Sequence, residues 1–171
     1  MRKRIAWYEE TLWLHQGLRG GGAFLVAEDD RGKPNPMTIG WGQVGIVWSI
    51  PVFTAFVRES RYTHECVRAS HAFTVSVPRP GELAEALALC GSSSGRDTDK
   101  AARAGLTMVP ASDVDGSVIA ECGLHYECEI LTRTQQHRED FADPDVLKSY
   151  YPGGDHHLAV FGRIVAAFAE L

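Results

Sequence analysis

Long apolar runs are missing from this 171-residue chain; none approaches the ~20 residues a helix needs to span a bilayer. An excess of positive charge is missing as well. Seventeen Lys and Arg stand against 22 Asp and Glu, a formal net charge of −5. That argues against a nucleic-acid surface, which needs a basic face to neutralise phosphates. It leaves room for one small anion, because a few local cations suffice to hold it. The four cysteines, Cys66, Cys90, Cys122 and Cys128, form no CxxC pair and no disulfide-framework spacing. Free thiols in a reducing cytoplasm are therefore expected. No GxxxxGK[ST] phosphate loop occurs, and Cys90 has no assigned base that would make it a nucleophile. His125, His156, His157, Cys122 and Cys128 match neither a CxxC pair nor an HExxH helix, so no metal site is expected. The basic start M-R-K-R-I-A-W is interrupted by Glu9 and Glu10 before any apolar stretch forms, so a secretory signal is not expected either.

What the chain does have is concentrated between Asn35 and Thr63. Two β-branched apolar runs, Met37–Trp41 and Val52–Val57, are each about strand length and bounded by Gly, Pro or Ser. The second ends in a polar cluster, Arg58, Ser60, Arg61, Tyr62 and Thr63, with a short helical pattern following over Thr63–Ser70. Guanidiniums beside hydroxyls at a strand-to-helix junction suit a phosphate, since Arg forks pair with its oxygens and helix-start N–H groups point at an anion. A solvated turn with ordinary surface arginines fits the same residues.

The remaining periodicities describe a mainly β domain of 1–171. Strands are expected at Ala23–Glu28, Met37–Trp41, Val52–Val57, Phe73–Val77, Leu124–Ile130 and His157–Phe168, with helices over Glu82–Cys90, around Lys100 and over Asp143–Lys148. Four of the six strands precede residue 80 and the helices do not alternate with strands. An antiparallel barrel or sandwich with helical insertions follows, not a parallel sheet. Gly91–Lys100 is a second candidate anion site, because its glycines admit close approach, its serines donate and Lys100 sits just inside the next helix. Residues 1–22 form an aromatic amino-terminal arm ending in three glycines, suited either to a lid over its own core or to a partner subunit.

Four blocks, N-P-M-T-I-G-W, R-E-S-R-Y-T, C-G-S-S-S-G-R-D-T-D-K and Y-P-G-G-D-H-H-L-A-V-F-G-R-I-V, resemble the flavin reductase-like family near its flavoredoxin branch. They stand in the family's order over nearly the whole chain. The resemblance implies an FMN-binding split barrel, a six-stranded antiparallel Greek-key barrel that is homodimeric, with FMN near the interface. It implies that Asn35, Met37, Thr38 and Trp41 line the isoalloxazine. Arg58, Ser60, Arg61 and Thr63 would take the phosphate with Ser94 and Lys100, and Cys90 and Gly91 would lie at the ribityl chain or phosphate. Pro36, after the asparagine, removes one backbone donor. Of the two adjacent histidines, His157, five residues before Gly162, is expected to act beside the flavin and His156 to face outward. The implied activity is an NAD(P)H-dependent FMN oxidoreductase passing electrons to an acceptor, with an FMN-holding electron carrier as the alternative. A nicotinamide donor, a redox partner protein and a homodimer are the implied partners, with no membrane or nucleic acid.

Overall fold

The computed structural model describes residues 2–170. Its chain order is β1 (Lys3–Ile5), α1 (Thr11–Gly20), β2 (Ala23–Glu28), β3 (Pro34–Ile39), β4 (Gly42–Val47), β5 (Ile50–Arg58), α2 (Tyr62–Ala69) and β6 (Ala72–Val77). There follow α3 (Ala84–Ser92), α4 (Lys100–Ala104), β7 (Met108–Pro110), β8 (Ser117–Ile119), β9 (Leu124–Gln135), α5 (Pro144–Tyr150) and β10 (His157–Ala169). Seven strands form one antiparallel path, β3-β2-β6-β9-β10-β5-β4, with β1 added beside β10 and β7–β8 as a separate hairpin.

Strand β2 shows why its run A-F-L-V-A is apolar throughout instead of alternating. Ala23, Leu25 and Ala27 enter the main core with Phe53, Phe73, Val75, Tyr126 and Val160. Phe24 and Val26, pointing the other way, are covered by Leu87, Cys90, Ala101 and Leu106 from α3 and the α4 region. With both faces buried, each large side chain contributes about 1.5–3 kcal/mol. This second cluster anchors α3 and α4 against β2 and β3, and so fixes the loop between the two helices.

The amino-terminal segment takes the first of its two expected uses and covers its own core: β1 pairs with β10, Leu14 is fully buried, and Trp13 Nε1 donates to the Pro78 carbonyl at 2.8 Å. One element differs from the sequence expectation. Residues 42–47 form strand β4, not a loop, and the 48–49 turn into β5 places Trp48 and Ser49 at positive φ. Cys122 lies just before β9 and is buried like the other three free cysteines. Among the described residues no helix is long and apolar enough to cross a membrane.

Candidate functional site

The carboxyl end of β5 and the start of β10 are neighbours in the sheet, with Arg58 opposite His157. Above that pair opens a cavity of about 230 Å³, lined by Met37, Thr38 and Trp41 from β3 and its exit, Phe56 and Arg58 from β5, Arg61, Gly91 and His157. Trp41 is 40% exposed and packs on the His157 ring at 4.9 Å and edge-on to Tyr150 at 5.2 Å. An aromatic wall, an apolar floor and a few converging polar groups suit a flat ligand held by its edges.

Arg61 joins this cavity to a second one of about 170 Å³, shared with Ser60, Tyr62, Ser92–Gly95, Arg96 and Lys100. The guanidinium of Arg61 donates to the Gly91 carbonyl at 2.7 Å and the Cys90 carbonyl at 3.1 Å. It therefore ties the start of α2 to the end of α3. Arg61 is the N-cap of α2 in extended backbone, and no side chain caps that helix's first N–H groups. Gly95 sits where an added Cβ would meet Asn35 and Tyr62, so only glycine lets the loop lie this close.

Lys100 is the anomaly of the site. It is 3% exposed, and no ion pair or hydrogen bond to another described residue holds its ammonium. Burial lowers its pKa to about 8; the nearby Arg61 charge adds to the depression, and the neighbouring thiols of Cys90 and Cys66 oppose it. A buried cation without a counter-charge is costly, and an anion in the adjoining cavity removes that cost. Burial likewise draws Arg61 below its ordinary value and pushes the thiols of Cys90 and Cys66 up, so neither cysteine is a ready thiolate.

At the opposite end Arg58 donates to the Asp155 carbonyl at 3.0 Å and the Tyr150 carbonyl at 2.9 Å. Asp155 accepts from the Ser60 backbone N–H at 2.8 Å and from its hydroxyl at 2.7 Å. The turn after β5 is thus stapled to the approach to β10. His157 is 6% exposed, and burial, aided by the Arg58 charge, pushes its pKa down to about 4, so it is neutral near pH 7.

The structure brings Met37, Thr38, Trp41, Arg58, Arg61, Gly91 and His157 to one cavity, and Ser60, Ser94 and Lys100 to the adjoining one. It sets Asn35 and Thr63 behind the wall. Asn35 Nδ2 donates to Thr63 Oγ1 at 2.8 Å with both residues buried, so these two brace β3 against α2 and line neither cavity. The hydroxyl of Thr38 is spent on the Leu87 carbonyl at 2.6 Å, and Cys90 offers its carbonyl to Arg61 with its thiol in the core. Phe56 and Arg96 are site residues that no sequence pattern singles out. Arg96 pairs with Glu65 and lies over the Tyr62 ring at 5.4 Å. Its place in the Gly/Ser block was the available signal.

Two formal motif matches dissolve in this context. Gly91-Ser92-Ser93-Ser94-Gly95 spells G-x-S-x-G, but Ser93 is the C-cap of α3, not a strand-to-helix elbow. Gly40-Trp41-Gly42-Gln43-Val44-Gly45 spells G-x-G-x-x-G but runs into strand β4, where a dinucleotide fingerprint needs a helix.

The flavin reductase like domain family matches residues 17–170. An uncharacterized protein of Archaeoglobus fulgidus is 31% identical over 103 residues, 60% of this chain and 57% of that protein's length. A flavoredoxin from Methanosarcina acetivorans superposes with a TM-score of 0.66 at 24% identity, covering 87% of this chain and 68% of that one. A structure from Shewanella frigidimarina described as a putative flavin reductase with split barrel domain gives a TM-score of 0.67 at 18% identity, covering 96% of this chain and 76% of the other. At these identities the superpositions establish the fold, which is that of the FMN-binding split barrels.

Proposed function

We propose, from the premise that this chain belongs to the flavin reductase like domain family, that it binds FMN and works as an NAD(P)H-dependent oxidoreductase. In this reading the ring lies in the cavity between Trp41, Phe56 and His157, and the phosphate enters the cavity of Ser60, Arg61, Ser94 and Lys100. The observation that carries it is Lys100, a buried ammonium without a counter-ion, opening with Arg61 onto a Gly/Ser loop. The chemistry FMN supplies when bound is two-electron uptake from a reduced nicotinamide and delivery to an acceptor. The chain's own contribution is grip and orientation. Arg61 and Lys100 supply positive charge, neutral His157 supplies a polar edge, and Trp41 and Phe56 supply apolar faces for the ring.

Lys100→Ala should weaken FMN about tenfold or more, since a charge-assisted contact is worth roughly 1.5–3 kcal/mol, and leave riboflavin nearly unchanged. Equal loss for both ligands would remove Lys100 from the phosphate site. Spectra of the FMN-loaded protein under anaerobic NAD(P)H separate the two family activities: bleaching supports the reductase, and a spectrum that stays oxidised supports a carrier filled by another protein. A homodimer in the cytoplasm completes the proposal. Free cysteines support the compartment, and an exposed aromatic edge beside the cavity supports the dimer.

A further inference from the structure

We infer that Tyr151 is a positioning residue of this site: its hydroxyl donates to Nδ1 of His157, keeping the proton of the imidazole on Nε2 as a donor to a ligand in the cavity. The inference rests on His157 being the ligand-facing histidine of the proposed site.

Tyr151 Oη lies 2.8 Å from His157 Nδ1, and both residues are buried. The other acceptor within reach of the phenol is Gln136 Oε1 at 3.5 Å, the outer edge of a hydrogen bond. A phenol has one proton, so the shorter contact takes it, and a neutral imidazole that accepts at Nδ1 must carry its own hydrogen on Nε2.

The phenol itself is held on several sides. The His156 ring lies 5.0 Å away at 32° and the Phe141 ring 5.2 Å away, and the Arg58 guanidinium sits over the Tyr151 ring at 5.2 Å. Arg58 is in turn fixed by the Tyr150 and Asp155 carbonyls. The excursion between β9 and β10, which carries Phe141, α5 and Tyr151, thereby acquires a task that its position alone does not reveal. It delivers a locked donor to the back of His157.

The charged and titratable groups facing His157 come from every neighbouring element: Arg58 from β5, Tyr151 from the end of α5, and Asp155 and His156 from its own approach to β10. Arg58 and His156 oppose protonation, while the single carboxylate, Asp155, is engaged by Ser60. The imidazole therefore stays neutral, and the direction of the Tyr151 bond decides which nitrogen donates.

The test uses the whole 171-residue chain, ¹⁵N-labelled at histidine and free of flavin, so its outcome does not depend on FMN binding. His157→Ala assigns the resonance. Long-range ¹H–¹⁵N correlations should show the Nε2–H tautomer for His157 near neutral pH. In Tyr151→Phe, which keeps the ring and its packing, the tautomers should mix, and the titration should move up by about one pH unit as the donor to the neutral form is lost. A merely structural tyrosine would leave both unchanged, and that result overturns the inference. An Nδ1–H tautomer in the wild-type protein overturns it as well, and needs no variant to fold.

Discussion

A lysine only 3% exposed, with no carboxylate paired to its ammonium, costs stability, and Lys100 carries that cost in the ligand-free chain. Burial, reinforced by Arg61, holds its pKa near 8, well under the 10.5 of an exposed lysine. Between those two values the unfolded chain binds a proton that the folded chain does not, so folding is penalised at neutral pH by up to about 3 kcal/mol. Lys100→Met should therefore raise the urea midpoint of the flavin-free protein while weakening FMN, a trade expected where a site is strained for function. The same shift sets the pH dependence of binding. Below about 8 the lysine is charged and affinity for the phosphate is level; above it the anion must bring a proton along. Wild-type FMN affinity should then fall, by up to about tenfold per pH unit, while that of Lys100→Met stays flat. Fluorescence-quenching titrations across that range check both, and a flat wild-type profile would separate Lys100 from the phosphate.

Helix α2 carries Arg61 at its start, and its other end is tied down by β9. Arg133 donates through Nε to the Val67 carbonyl at 2.6 Å and through Nη2 to the Ser70 carbonyl at 2.7 Å, satisfying acceptors the helix leaves open. Arg133→Met keeps the aliphatic stem but removes both bonds. It should cost roughly 1.5–3 kcal/mol in urea unfolding, with far-UV dichroism confirming that the fold remains. The chain's elements were unevenly legible. Strands β2, β3, β5, β6, β9 and β10 could be read because each carries either a continuous or an alternating apolar pattern. Strand β4 was hidden by Gly42 and Gly45, and by a turn in which Trp48 and Ser49 take positive φ without the usual glycine or asparagine. The polar cluster after β5 was legible because it is local in sequence. The Asn35–Thr63 pair and the Tyr151–His157 bond depend on which strand lies beside which helix. A pattern read along one chain does not carry that information.

Two histidines buried in separate parts of the sheet couple the whole fold to acid. His125, bonded to Ser76 and to the Cys122 carbonyl, and His157 are each pushed down to about 4 by burial. As pH falls from about 6.5 towards 4 the unfolded chain takes up protons that the folded one refuses, so stability drops by up to about 3 kcal/mol per histidine. Urea midpoints should be clearly lower at pH 5 than at pH 7, and His125→Gln should reduce the difference. Assembly depends on the opposite property, surface left uncovered. Trp41, Ile46, Trp48 and Tyr150 are 40–61% exposed, at the β4 edge and beside the cavity mouth. An apolar edge strand is an invitation to pair, and natural proteins blunt or cover such edges. A second copy of this chain is the occupant that would close the open side of the ring cavity at Trp41, making the site a product of two subunits. Light scattering should give about twice the 18.8 kDa of one chain. Trp48→Glu should shift it towards the single-chain mass and weaken FMN in parallel. A wild-type protein that runs as one chain at micromolar concentration, with FMN bound at full affinity, would show instead that the cavity is complete within a single subunit.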